Sequence, residues 1–500
     1  MEEQRNLIVL ICVSVYMVLC IGVGIWALRR TKNTSDFFMA GRDLGIMVTS
    51  LAVFSSTLSG FGFVGGPGLI YRMGTSSMWM IICSTIGFSM SFFLLGKRLR
   101  MFAELRNSIS LPDAVAARYN SELARFMTGL VIFLGVITYL GAQIMAMTVV
   151  LQEIFGNVEW IGEVSTLTCM SISVAVLVFY CVTGGIIASV YTDLVQGSIM
   201  VVAALLVFFS ALAAVDGGVA GVITTVMADD TESVSPWGTF GIMGCLSWFL
   251  IFGIGGAGQP HIITKMMMTK NIGDTKHILP VSVIGYSVSA LLWISIGFVI
   301  RALVLQGAHP ELGSPDEAAP AFLNNYAHPM LAGIVFAGLF AAIMSTADGF
   351  LNIGASAVVH DMPKAIIGRP LRHELRMARI MTLVIAIVAA VFALNAPSSL
   401  VALLGTFGWS VFAASIVPVV AIGFNWKRAT ALAANVAMIS AITIIFFIEF
   451  VYIKGMGRTI PYGFNTGAIA IIVSMTLFFT ISLLSKPPKL DPDIEAVMDL

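Results

Sequence analysis

The stretch Ala341–Gly349, AAIMSTADG, sets two adjacent hydroxyls, Ser345 and Thr346, and a carboxylate, Asp348, inside an apolar run extending from 330 to 358. An acid at that depth costs at least ~2.5 kcal/mol on insertion scales, so it faces a cavity, a partner or an ion path instead of lipid. Oxygen ligands of this kind suit a hard cation.

Outward from that stretch the chain is apolar nearly throughout. Of its 500 residues 58% are hydrophobic and 11% charged, and the mean hydropathy is +0.95. That composition excludes a set of soluble domains and predicts an all-α integral membrane protein. Runs near the ~20 residues needed to cross a bilayer fall at 7–28, 46–71, 77–95, 126–153, 161–183, 189–215, 237–257, 281–306, 330–358, 377–394, 399–424, 429–452 and 464–485, thirteen expected spans. With the N-terminus outside, all of the 27 Lys and Arg residues except Arg5, Arg72, Arg301, Lys454 and Arg458 fall on the inner side, Lys265, Lys270 and Lys276 among them. The loop carrying Asp229, Asp230 and Glu232 has no basic residue. Cytoplasmic loops collect basic residues, so the expected topology is a multi-pass protein of the cell (inner) membrane with its C-terminus in the cytoplasm.

Several function classes drop out. A net charge of zero offers no basic face for nucleic acid. Cys12, Cys20, Cys83, Cys169, Cys181 and Cys245 all lie in expected spans without metal-type spacing, so they read as small apolar residues. Span 1 lacks a basic leader and a small-residue cleavage site and reads as a retained helix. Gly253–Gly258 fits G-x-G-x-x-G, but inside a membrane span it lacks the strand and soluble helix of a dinucleotide fold. There is no Walker loop and no catalytic constellation, so the chain is not read as an enzyme. His261 and His277 read as surface residues near headgroups, and Met266, Met267 and Met268 as an interfacial packing strip.

Two spans are interrupted. Span 2 carries Ser55, Ser56, Thr57, Leu58, Ser59 and Gly60, then Gly65, Gly66, Pro67 and Gly68; span 7 carries GIGGAGQP from Gly253 to Pro260. Backbone freed at membrane depth needs a cavity or an ion. If spans 2–6 and 7–11 are five-helix units, each opens on its broken helix and the odd count inverts them, the inverted-repeat plan of secondary transporters. The expected organisation is 1–45 as a flanking helix and loop, 46–215 and 237–424 as the two repeats joined by an extracellular loop at 216–236, and 425–500 as two helices with a short tail.

Five motifs in order, AGRDLG at 40–45, SSTLSG at 55–60, VYTDLVQGS at 190–198, GQPHI at 258–262 and AAIMSTADG, resemble the sodium/solute symporter family, particularly its proline and pantothenate permease branches. The resemblance covers nearly the whole chain. It implies the five-plus-five fold and one sodium, co-transported, between spans 2 and 9, held by the carbonyls of Ser55, Leu58 and Ala342 and the hydroxyls of Ser345 and Thr346. Ala342 to Thr346 is one helical turn, so those groups share a face. The competing structural reading is that both hydroxyls bond back to their own helix.

Some family members use the acid matching Asp193 for a second sodium, and Asp348 stands where others carry serine. Asp193, Ser345 and Asp348 are therefore the candidates for a second sodium or a shared proton, while Asp193 could also cap a helix start after Gly184 and Gly185. Thr57, Ser59, Gly60, Tyr139, Gln143, Phe252, Gly256, Gln259 and Pro260 are expected to line a solute pocket. Thr57 replaces the aspartate of the proline branch, and Phe252 and Gly256 its tryptophan and tyrosine, which puts a proline site in doubt. The expected activity is sodium-driven uptake of a small organic solute, an amino acid or small carboxylate, by alternating access. A proton-coupled symporter using Asp193 and Asp348, or a solute-sensing receptor derived from a transporter, are the alternatives. The expected partners are the solute, sodium and the bilayer, with the oligomeric state open.

Overall fold

The computed structural model describes residues 2–30, 34–40, 44–156, 164–396 and 400–499. Lys32, Arg42, half of the motif at 40–45 and the first residues of expected spans 5 and 11 lie outside the described residues. Among the described residues the fold is built of helices, with one isolated bridge between Leu44 and Thr269. This is what hydrocarbon enforces, since a helix satisfies its backbone within one segment.

Eleven helical stretches are long and apolar enough to cross a membrane, against thirteen expected. The difference arises in two places. Ile46–Leu105 is one helical stretch of 60 residues covering expected spans 2 and 3, and Thr166–Phe179, in expected span 5, falls among the shorter apolar helices. The chain turns between Met73 and Met78 through Gly74, whose φ is +60° and where a Cβ would lie 2.0 Å from the Ser233 carbonyl oxygen. Only glycine fits there.

The expected interruptions are present. In span 2 the helix Ile46–Gly60 breaks at Ser59, with φ 33° and ψ 175°, and continues as wide turns at Phe61–Gly65 before the helix Gly66–Met73. In span 7 the helix Gly241–Trp248 loosens over Phe249–Ile254, tightens over Gly255–Gly258, becomes extended at Gln259 and restarts at Pro260. A further break falls between expected spans 5 and 6, where the sequence places Gly184 and Gly185. The helix Thr166–Ala213 kinks at Gly185, φ 57°, where a Cβ would meet the Phe37 ring at 2.5 Å.

Burial sorts the helices into a centre and a rim. The apolar windows of spans 11 and 9 are 94% and 83% buried, those of spans 1 and 12 only 22%. Rim residues such as Phe93, Phe209 and Leu484 are widely exposed, as a lipid-facing surface requires. Span 9, from Pro329, packs on spans 2, 4 and 6, which puts AAIMSTADG against the break of span 2. The tail helix Pro492–Met498 is tied back by Arg106 to Asp491 and Asp493 and by Lys427 to Glu495 and Asp499.

Candidate functional site

Span 9 stays helical through Ala341–Gly349, so Ser345 and Thr346 emerge on the face that meets span 2. The Ser345 hydroxyl donates toward the carbonyls of Ser55 at 3.3 Å and Ala342 at 3.1 Å; that of Thr346 donates toward Ser56 at 2.8 Å and Ala342 at 3.1 Å. Ser55, Leu58, Ala342, Ser345 and Thr346 are all fully buried. Both readings of the hydroxyls are thus present together: each bonds back to its own helix and each reaches across to span 2. The Leu58 carbonyl lies further along span 2 and accepts from the Phe61 N–H. Ser56, whose carbonyl takes the Thr346 bond, was absent from the expected set.

Immediately beyond the break, Ser59 Oγ and the Tyr139 hydroxyl share a hydrogen bond of 3.1 Å, and the Gly60 N–H donates to Gln143 Oε1 at 2.8 Å. Tyr139 and Gln143 are one turn apart on span 4 and so close on the same segment. Gln259 donates to the carbonyls of Gly255 and Trp409, and the Trp409 indole donates to the Ile251 carbonyl. Phe252 stacks on Phe61 with centroids 5.9 Å apart and meets Trp409 at 5.2 Å. Ser59, Gly60, Tyr139 and Gln143 are brought together; the other expected solute residues are not all alike. Thr57 bonds back to Val53, and Gly256 packs on Gly87, where a Cβ would lie 2.6 Å from the Gly87 Cα. Pro260 heads its helix near Thr264 and Asn352.

His277 is exposed, as expected, but His261 is a correction. Its ring is buried against Phe350 at 4.6 Å, Trp409 at 5.9 Å and Tyr139 at 6.3 Å, and neither ring nitrogen has a hydrogen-bond partner. The restart at Pro260 turns the next residues inward, so Met266, Met267 and Met268 are also core and not interfacial. Gln143 Nε2 and Gln259 Oε1 are likewise buried without partners. Unsatisfied polar atoms beside aromatic faces are what a pocket for a small polar solute needs. Trp409 and Phe350 were missed because a single aromatic in an apolar span carries no periodic signal.

Lys265 is the second correction. Counted from sequence with the inner loop, it is 2% exposed and its ammonium donates to Asp193 Oδ2 at 3.0 Å. Asp193 lies well inside its helix, beyond the Gly185 kink, and its carboxylate receives this ion pair, not a helix-start N–H. Asp348 Oδ1 accepts from Ser189 at 2.7 Å, and the charges of Asp193 and Lys265 both act on Asp348. Lys265 thus joins the expected grouping of Asp193, Ser345 and Asp348, of which Ser345 turns its hydroxyl to Ser55 and Ala342.

A second charge network holds the ends of spans 4 and 9. Asp113 accepts from Arg125, from Lys364 at 2.9 Å and from His360 at 3.2 Å, and His360 bonds Glu374 at 2.6 Å. Burial opposes ionisation of Asp113, but the His360 hydrogen bond and the charges of His360, Arg125 and Lys364 hold its carboxyl below the usual range. Asp113, His360 and Asp361 have ligand atoms within 4.8 Å of one another, yet the two basic side chains on Asp113 already supply the positive charge a metal would bring.

Residues 37–441 match the sequence pattern of the Sodium:solute symporter family. This chain belongs to that family. The symporter is 30% identical to the osmoregulated proline transporter of Bacillus subtilis (strain 168) over 93% of its length and 94% of the relative's. It is 30% identical to the sodium/proline symporter of Escherichia coli (strain K12) over 98% and 95%. In structure it is similar to a Na+-coupled sialic acid symporter in a substrate-bound outward-open state, with a TM-score of 0.77, 19% identity and coverage of 97% and 99%. A nucleobase-cation-symport-1 family transporter in a closed conformation matches at 0.52 with 14% identity, over 94% of this chain and 99% of that one. The protein is thus a membrane transporter, not an enzyme, and couples movement of a small solute to sodium.

Proposed function

We propose that the symporter takes up an amino acid or a similarly small carboxylate, with sodium held by Ser55, Leu58, Ala342, Ser345 and Thr346 and the solute beside Ser59, Gly60, Tyr139 and Gln143. One observation carries this reading: the hydroxyls of span 9 and the polar groups of span 4 engage the same broken segment, 55–60, from opposite ends. An ion that fixes this break fixes the solute contacts with it, so coupling follows from differential affinity for one conformation. Carbonyl and hydroxyl ligands without formal charge replace a hydration shell while still releasing the ion.

The aromatic walls of Phe61, Phe252, His261, Phe350 and Trp409 suit a compact solute with a small apolar body. Two relatives are named for proline, so proline heads the candidates. Thr57, Phe252 and Gly256 favour testing other small amino acids beside it. The repeats are assigned to 46–215 and 237–424, and the N-terminus to the outside. One sodium moving down ~100 mV gains about 2.3 kcal/mol, and a tenfold gradient adds about 1.4. Together about 3.7 kcal/mol supports roughly 500-fold accumulation.

The test is thermal stabilisation of the purified protein by a panel of amino acids and small carboxylates in sodium, potassium and choline. Stabilisation that requires both solute and sodium is the expected result. A solute that stabilises equally in choline would remove sodium coupling, and repeating the series across pH would then test Asp193 and Asp348 as proton carriers.

A further inference from the structure

Lys265 gives all three of its protons to oxygens: the Ala52 carbonyl at 2.7 Å, Ser56 Oγ at 2.8 Å and Asp193 Oδ2 at 3.0 Å. A carbonyl, a hydroxyl and a carboxylate converging in a dry interior are the ligand set of a hard monovalent cation. Here the ammonium takes them, at the end of a stem fixed to the helix Pro260–Met267. We propose that Lys265 is a tethered cation that permanently fills a second ion position between spans 2, 6 and 9, so that the symporter binds one sodium per cycle. The inference rests on the sodium reading of the preceding section.

Two further observations point the same way. Lys265 and Asp193 are 2% and 0% exposed and pair at 3.0 Å, so the ammonium offsets the carboxylate in an interior sealed from water. With Lys265 already offsetting Asp193, a second sodium in the same place would bring an uncompensated positive charge into the interior, which is costly. Ser56 joins the two positions: its hydroxyl holds Lys265 and its carbonyl accepts from Thr346. Removing the ammonium frees the Ala52, Ser56 and Asp193 Oδ2 oxygens, beside an Asp193 Oδ1 that is buried without a partner.

The measurement is equilibrium binding of radioactive sodium to the full-length purified protein, which needs no solute. The wild type should bind one ion per chain with a Hill coefficient near one. K265A should bind two, and K265A/D193N should return to one. Two ions on the wild type, or a folded K265A that still binds one, would overturn the tethered-cation assignment and leave sodium symport standing. No saturable sodium binding by the wild type would overturn both. If K265A does not fold, the wild-type count still decides.

Discussion

Removing both span-9 hydroxyls, as S345A/T346V, should uncouple the symporter from sodium while leaving it folded. Each hydroxyl makes a bond across to span 2, 3.3 Å from Ser345 and 2.8 Å from Thr346. Without the ion these are ordinary hydrogen bonds of about 0.5–1.5 kcal/mol each, so the fold loses about 1–3 kcal/mol. With the ion each oxygen faces a charge, and losing such a contact costs about 1.5–3 kcal/mol. That is about 10- to 100-fold in affinity per hydroxyl, with the pair falling short of additive because the residues adjoin. Melting temperature against sodium at constant ionic strength, balanced with choline, reads this directly. At 100 times its dissociation constant sodium stabilises by about 2.7 kcal/mol; a 100-fold weaker site retains about 0.4 at the same concentration. A double variant that melts lower but keeps the wild-type sodium midpoint would refute the ion assignment.

Three other expectations can be checked. Asp316, between spans 8 and 9, is buried and accepts from the Val401 N–H at 2.8 Å; burial pushes its carboxyl up to about 6. A raised acid binds its proton more tightly folded than unfolded, so its contribution falls as pH rises from about 4 to about 6, by up to ~3 kcal/mol. The wild type should therefore gain more in melting temperature between pH 7 and 5 than D316N, and parallel profiles would dismiss the effect. D113N should destabilise by about 3–5 kcal/mol, because it removes the buried carboxylate that Arg125, His360 and Lys364 share, while K364M, at a partly exposed lysine, should cost far less; equal losses by chemical denaturation would contradict the burial argument. Y139F breaks the Ser59 hydrogen bond and should weaken solute binding by about 10-fold or less without moving the sodium midpoint. A shifted midpoint in Y139F would show that the ion and solute positions are less separate than drawn.

The apolar runs, the breaks at Ser55–Gly60 and Gly253–Pro260 and the pairing of Ser345 with Thr346 were determined locally, because hydropathy, helix-breaking residues and one-turn spacing act over a few neighbours. The spans, the family and most of the proposed first ion position follow from them. What lies far apart in the chain was decided only by packing. Lys265 looked like a loop residue since it follows a break, yet the restart at Pro260 turns it inward onto Asp193, 72 positions away. His261 and the methionines were carried inward by the same turn. Ser56 meets Thr346 through its carbonyl, a group every residue has and no sequence pattern marks. A buried charge is tolerable only beside its partner, and whether the partner arrives depends on the crossing of helices that the chain order leaves open.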